Sequence, residues 1–264
     1  MQDLTITLLQ SDLFWEDRPA NLQALEEKIL QLRQPTELIL LPEMFTTGFS
    51  MRPDLWAEEM DGEGVRWMKR VAAARKVILA GSMMIREGGA YYNRLVWMLP
   101  DGQMGYYDKR HCFGLAGESV HYQPGRRRFI ASVNGWRVNL CICYDLRFPI
   151  WSRQTMTPGA EQPEYDLLVY VANWPEVRIH AWRSLLVARA IENQCYVAGV
   201  NRVGIDGQGI VHEGHSMVVD PMGEILAEEV GGEAMVTYRL DKSLLEDIRK
   251  KLPFWRDADP FTIY

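Results

Sequence analysis

Three residue types that together can hydrolyse an amide stand just beyond apolar stretches of this chain. Cys143 follows Val138–Ile142, Glu43 follows E-L-I-L-L at 37–41, and Lys109 follows the segment Met104–Tyr107. A thiol is a weak nucleophile until it loses its proton, at a free pKa of about 8.5. It needs a base, which Glu43 can be. The tetrahedral intermediate of acyl transfer carries an oxyanion, which needs preorganised donors. Lys109 and the backbone N–H of Tyr144 can supply them. Singly these residues say little, because a free cysteine is most often a small buried hydrophobe and an acid after a strand is most often solvated. Their combination points to covalent hydrolysis.

The elements that must position them are short and apolar. In V-N-L-C-I-C-Y-D-L-R-F-P, at 138–149, Val138, Leu140 and Ile142 alternate with Asn139, Cys141 and Cys143. That period of two predicts a strand with one buried face, entered through an Asn134-Gly135 hairpin turn. The strand breaks at Cys143 into a polar turn, so the thiol would sit on a rigid support with open space ahead, the logic of a nucleophile elbow. Further strands are predicted at 5–9, 37–41, 77–84, 91–99, 104–107, 129–133, 165–172, 195–200, 217–219, 225–227 and 234–240. Helices are predicted at 21–33, 63–74, 180–194 and 242–252. Several buried strands end in polar residues, namely Glu43, Lys109, Cys143, Asn173, Asn201 and Arg202. Ligands bind at strand ends in layered α/β domains. Residues 44–60 form a loop rich in methionine and aromatics, a candidate pocket wall. Asp108–Glu118 forms a polar, glycine-bearing loop, and 158–163 a surface loop. With no repeat or linker in view, residues 1–264 are read as a single α/β domain with helices outside and sheets inside.

Composition excludes several classes. The chain has 264 residues, 47% of them hydrophobic, and a formal net charge of -6. The basic run Arg126–Arg128 is too short for a nucleic-acid footprint. No apolar stretch approaches the roughly 20 residues that span a bilayer, and the first ten residues have no basic start of a signal peptide. Four cysteines, at 112, 141, 143 and 195, show no metal spacing. Five histidines show none either, and His212 and His215 fall in a predicted loop. A cytoplasmic protein with reduced thiols is expected, with no metal and no cofactor.

The motifs L-P-E-M-F-T-T-G-F at 41–49, Y-D-K-R-H at 107–111 with Glu118 following, and C-Y-D-L-R-F-P at 143–149 resemble those of the carbon–nitrogen hydrolase, or nitrilase, superfamily. The resemblance covers essentially the whole chain. It implies a four-layer α-β-β-α sandwich that pairs into homodimers. It also implies a triad of Glu43, Lys109 and Cys143, with Glu118 as a second carboxylate beside the lysine. Nitrilases proper show Cys-Trp-Glu, whereas Cys143-Tyr144-Asp145 is similar to the omega-amidase branch. So are V-A-N-W-P at 171–175, A-R-A-I-E-N-Q at 188–194 and G-V-N-R-V-G at 199–204. Ile150 departs from the glutamate found in many relatives, a difference expected to matter for packing, and Cys112 departs from leucine.

Members of that branch act on the terminal amide of short dicarboxylic monoamides such as 2-oxoglutaramate, 2-oxosuccinamate and succinamate. Such a small molecule carries a free carboxylate, which a planar arginine suits. Arg147 and Arg202 are the candidates, with Phe113, Asn173 and Trp174 as further substrate-binding residues. The alternatives are a nitrilase, an N-carbamoyl amino acid hydrolase using the same triad, or a silent fold kept as an interaction module.

Overall fold

A computed structural model describes residues 2–154 and 162–263. The expected loop at 158–163 therefore lies largely outside the described residues. The strands are β1 (Leu4–Gln10), β2 (Leu38–Leu40), β3 (Ile78–Glu87), β4 (Ala90–Met98), β5 (Met104–Asp108), β6 (Ile130–Val133), β7 (Trp136–Ile142), β8 (Leu167–Ala172), β9 (Tyr196–Asn201), β10 (Val203–Ile205), β11 (Val211–Val219), β12 (Ile225–Val230) and β13 (Ala234–Leu240). Four longer helices are α1 (Arg18–Gln31), α2 (Glu63–Arg75), α3 (Ile179–Asn193) and α4 (Lys242–Lys251).

Two sheets form. One has the order β13-β1-β2-β3-β4-β5, the other β10-β11-β9-β8-β7-β6 with β12 paired to β11. Each contains a parallel trio, β1-β2-β3 in the first and β7-β8-β9 in the second. Parallel strands covered on both faces read as continuous apolar runs, not alternating ones. In β2, Leu38 and Leu40 join the core shared by the two sheets, while Ile39 packs with the Leu22, Leu25 and Ile29 stripe of α1 and with Val65, Met68 and Val71 of α2. Each such side chain contributes about 1.5–3 kcal/mol by leaving water. On the second sheet, α3 lies so close to β9 that a Cβ at Gly199 would meet Leu186 Cδ1 at 2.6 Å. The layers are thus helix, sheet, sheet, helix, the four-layer α-β-β-α sandwich.

Local signals fix the ends. Asp17 accepts from Ala20 N at 3.1 Å to start α1, and Asp241 accepts from Leu244 N at 3.0 Å to start α4. Helix α2 is capped from a distance, since Glu58 accepts from Gly64 N and Val65 N, both at 3.0 Å. Asn134 and Gly135 both take positive φ, 48° and 79°, as a two-residue hairpin turn with the strands' own twist requires.

Four expectations change. The strand before Cys143 has both faces buried: Asn139 and Cys141 are covered as fully as Leu140. Strand β10 went unpredicted because it has three residues. Strand β11 starts at Val211, so His212 and His215 are strand residues interrupted by Gly214 at φ 74°. Ile150 is 56% exposed and packs no interior. Among the described residues, no helix is long and apolar enough to cross a membrane.

Candidate active site

The site gathers at the carboxyl ends of β2, β5, β7 and β8, where neighbouring strands diverge into loops. Beyond β2 the chain turns sharply at Met44, φ 45°, whose N–H donates to Ser82 Oγ at 2.9 Å. This turn leaves Glu43 fully buried. Beyond β5, Lys109 stays in register through its N–H to Asn93 O at 3.0 Å. Beyond β7, Cys143 adopts φ 42°, a strained value for a residue with a Cβ. The strain turns the thiol off the strand axis and leaves it 9% exposed.

Asp145 holds that turn in place. Its Oδ2 accepts from Ile142 N at 3.0 Å and from Tyr107 Oη at 2.7 Å. Its Oδ1 accepts from His111 N at 2.9 Å and lies 2.8 Å from His111 Nδ1. One buried carboxylate therefore ties the cysteine turn to β5 and to the loop after Lys109. Sequence reasoning missed this role, although Asp145 lies inside the cysteine motif.

Glu43, Lys109, Glu118 and Cys143 come together. Lys109 Nζ donates to Glu43 Oε1 at 2.8 Å and to Glu118 Oε2 at 2.8 Å. Asn93 Nδ2 bridges the same two carboxylates, at 2.8 Å to Glu43 Oε1 and 3.0 Å to Glu118 Oε1. Asn173 N donates to Glu43 Oε2 at 2.9 Å, and its side-chain amide to the Glu43 carbonyl. The Glu43 carboxylate acts directly on the Cys143 thiol. Asn93 was not singled out in the sequence; its only signal is a polar side chain inside an apolar strand.

Burial sets the protonation states. Burial, reinforced by the Glu43 charge, pushes the Cys143 thiol well above its ordinary range, with Lys109 pulling the other way. The proton therefore stays on sulfur, beside a carboxylate placed to take it. Burial alone would lower Lys109, but Glu118 and Glu43 hold it well above the usual lysine value. Burial likewise raises Glu118, against the pull of Lys109. Burial pushes the nearby Cys112 thiol up to about 12.

In front of Cys143 lies a narrow cavity lined by Phe49, Phe113, Tyr144, Arg147, Asn173 and Trp174. Of the candidate wall at 44–60, Phe49 reaches it, with Lys109 Nζ 5.1 Å from its ring centroid. Arg147 lies against Trp174, Cζ to centroid 4.9 Å. Arg202 does not reach the cavity. At the break between β9 and β10, Asn201 bonds Trp174 N and O, while Arg202 turns away to Asp12 Oδ1 at 2.7 Å and Val203 O at 3.0 Å. It is a structural arginine. The sequence also missed Arg178, which shares the cavity, and His212, whose pKa burial and then Arg202 lower to about 4. A larger hollow of about 960 Å³, between Asp12–Trp15 and Gly231–Glu233, holds no nucleophile.

Several known proteins resemble this chain along its length. The carbon-nitrogen hydrolase family pattern matches residues 5–250. The chain is 42% identical to omega-amidase YafV of Escherichia coli K12, over all of both chains. It is 34% identical to 2-oxoglutaramate amidase of Bacillus subtilis, over 96% of each. A solved carbon-nitrogen hydrolase superfamily protein of Xanthomonas campestris, carrying an arsenic adduct in its active site, superposes with a TM-score of 0.97 at 40% identity, over all of both chains.

Proposed function

The chain belongs to the carbon–nitrogen hydrolase family, and from that premise we propose that it is an omega-amidase. It cleaves the terminal amide of short dicarboxylic monoamides, 2-oxoglutaramate, 2-oxosuccinamate and succinamate among them, to the acid and ammonia. The observation that carries the reading is the presence, in one cavity, of a thiol acted on by Glu43 and of a guanidinium, Arg147, that rests on Trp174 and meets no carboxylate or carbonyl among the described residues. The names of the Escherichia coli and Bacillus subtilis relatives support the same substrate class.

Cys143 attacks the amide carbon as Glu43 takes the thiol proton. Lys109 Nζ donates to Glu43 Oε1 and to both oxygens of Glu118, and it turns one donor from Glu118 to meet the oxyanion together with the Tyr144 N–H. Glu43 returns its proton to the leaving nitrogen, ammonia departs, and a thioester remains on Cys143. Glu43 then draws a proton from water, which attacks the thioester and releases the acid and the thiol. Glu118 keeps Lys109 charged and aimed. Arg147 receives the far carboxylate, which sets the amide at the thiol. Asn173 positions Glu43, and Phe113 and Trp174 shape the path between.

Four cysteines without a disulfide fit a reducing cytoplasm, and the working unit proposed is a homodimer of single-domain chains, checked by sedimentation. The test of function is ammonia release from 2-oxoglutaramate, succinamate, butyramide, a nitrile and an N-carbamoyl amino acid. Fast turnover of the two acid amides alone supports the reading. Turnover of only the nitrile or the carbamoyl compound keeps the triad and overturns the substrate class.

A further inference from the structure

Two guanidinium groups reach the cavity in front of Cys143. Arg178 closes the short turn Glu176–Arg178 that leads into α3, and its Cζ lies 5.3 Å from the centroid of Phe113. Both arginines rest on parts already fixed to the site. Trp174 offers its face to Arg147, and its Nε1 donates to Arg178 O at 2.8 Å. Phe113, beneath Arg178, donates its N–H to Glu118 Oε2, the carboxylate that grips Lys109. The reading end of the cavity and its reacting end are thus built on shared supports.

What sets these two arginines apart is what they lack. Among the described residues, every other arginine withdrawn from solvent donates to a carboxylate or a backbone carbonyl. Arg147 and Arg178 are half-buried and have neither. A guanidinium carries five N–H donors in a rigid fork, and those of Arg147 and Arg178 meet no protein acceptor among the described residues, so a ligand in the cavity can take them. Two such groups facing one cavity call for oxygen atoms on the ligand.

Counting oxygens narrows the ligand. A carboxylate has two, and a single guanidinium takes both in a fork. The second guanidinium remains for a third oxygen near the first two. A 2-oxo acid has that oxygen, on the carbon next to the carboxylate. A saturated acid amide lacks it, and a 2-amino acid such as glutamine sets an ammonium there, opposite a like charge.

We propose that Arg178 binds the oxygen on the carbon adjacent to the substrate carboxylate, so that the cavity selects 2-oxo acid amides over their saturated and 2-amino counterparts. This rests on the omega-amidase reading and deepens it. Arg178 touches the substrate away from the scissile bond and sets specificity without taking part in the bond changes.

The test compares 2-oxoglutaramate with glutaramate, the same chain without the 2-oxo group, in wild type, Arg178→Met and Arg178→Lys. Removing a hydrogen bond from a charged donor should lower kcat/KM for 2-oxoglutaramate by about 10- to 100-fold, mostly through KM. Glutaramate should change by less than about threefold, which also reports that the variant is folded. Arg178→Lys keeps the charge without the fork and should fall between. Equal losses on both substrates, or an unchanged ratio in both variants, would overturn the assignment. Wild-type rates separate the two levels of argument. If wild type prefers neither acid amide over butyramide, the omega-amidase reading fails and takes this proposal with it. If it prefers them, the variants judge Arg178 alone.

Discussion

The two ends of the cavity are built on opposite plans. At the reacting end every charge is answered inside the protein: Lys109 by Glu43 and Glu118, Glu43 by Asn93, Lys109 and Asn173. At the reading end Arg147 and Arg178 lie on aromatic faces with no acceptor among the described residues. The contrast has a physical reason. Groups that move protons must be held in one geometry before substrate arrives, since reorganisation would be charged to each turnover. Groups that select a substrate gain most when the ligand is the partner that completes them.

Breaking the reacting end should have the largest effect. Glu43→Gln keeps the shape and removes the base, and should lower kcat by about 10³-fold, within the span of general acid–base contributions. Steady-state ammonia release measures it, and KM for succinamate should move little because Arg147 is untouched. Arg147→Met should do the reverse, raising KM for acid amides by about 10- to 100-fold while butyramide is unaffected. Equal effects on acid and neutral amides would erase the distinction between the ends.

A second buried ionic cluster sharpens the contrast. Asp166 is 1% exposed and bonded by Arg137, Lys242 and Arg249, one carboxylate among three cations. Burial alone would raise its pKa, but bonds from Arg137 and Lys242 and the Arg249 charge draw it from 3.8 to about 2. Near Lys109 the excess runs the other way, and Glu118 is raised. Because the folded value for Asp166 lies below the unfolded one, its stabilisation is complete above pH 3.8 and is lost as pH falls toward 2. That amounts to roughly 2 kcal/mol. Urea titrations between pH 5 and pH 2 should show this slope in wild type and a flatter one in Asp166→Asn. The smallest effect belongs to Arg202→Met. Its partner Asp12 is half exposed, so the loss should be about 1 kcal/mol in unfolding, with KM for acid amides unchanged.

That last substitution marks where the sequence stopped being readable. Glu43, Lys109 and Cys143 were legible because each ends an apolar strand, and a polar residue there must sit at a sheet edge. Arg202 carried the same signal and was misread. It sits at the break between β9 and β10, where Asn201 bonds the backbone of Trp174 and Arg202 turns to Asp12; nothing local says which would face the cavity. Arg178 was illegible because its turn has no periodicity and its contact with Phe113 joins distant segments. The fold was legible in its strand-and-helix order, while the second buried face of β7 depended on packing that its alternation does not reveal. The φ of 42° at Cys143 is likewise imposed by Asp145 and its partners, not by the residue itself.

The central claim, that Cys143 becomes acylated by an acid amide, has a direct test. Wild-type protein is mixed with 2-oxoglutaramate, quenched in acid within the first turnovers, and weighed intact by mass spectrometry, then mapped by peptide. The account predicts an adduct equal to substrate minus ammonia, located on Cys143 and absent from Cys143→Ala. No adduct at Cys143, together with ammonia release that persists in Cys143→Ala, would contradict it.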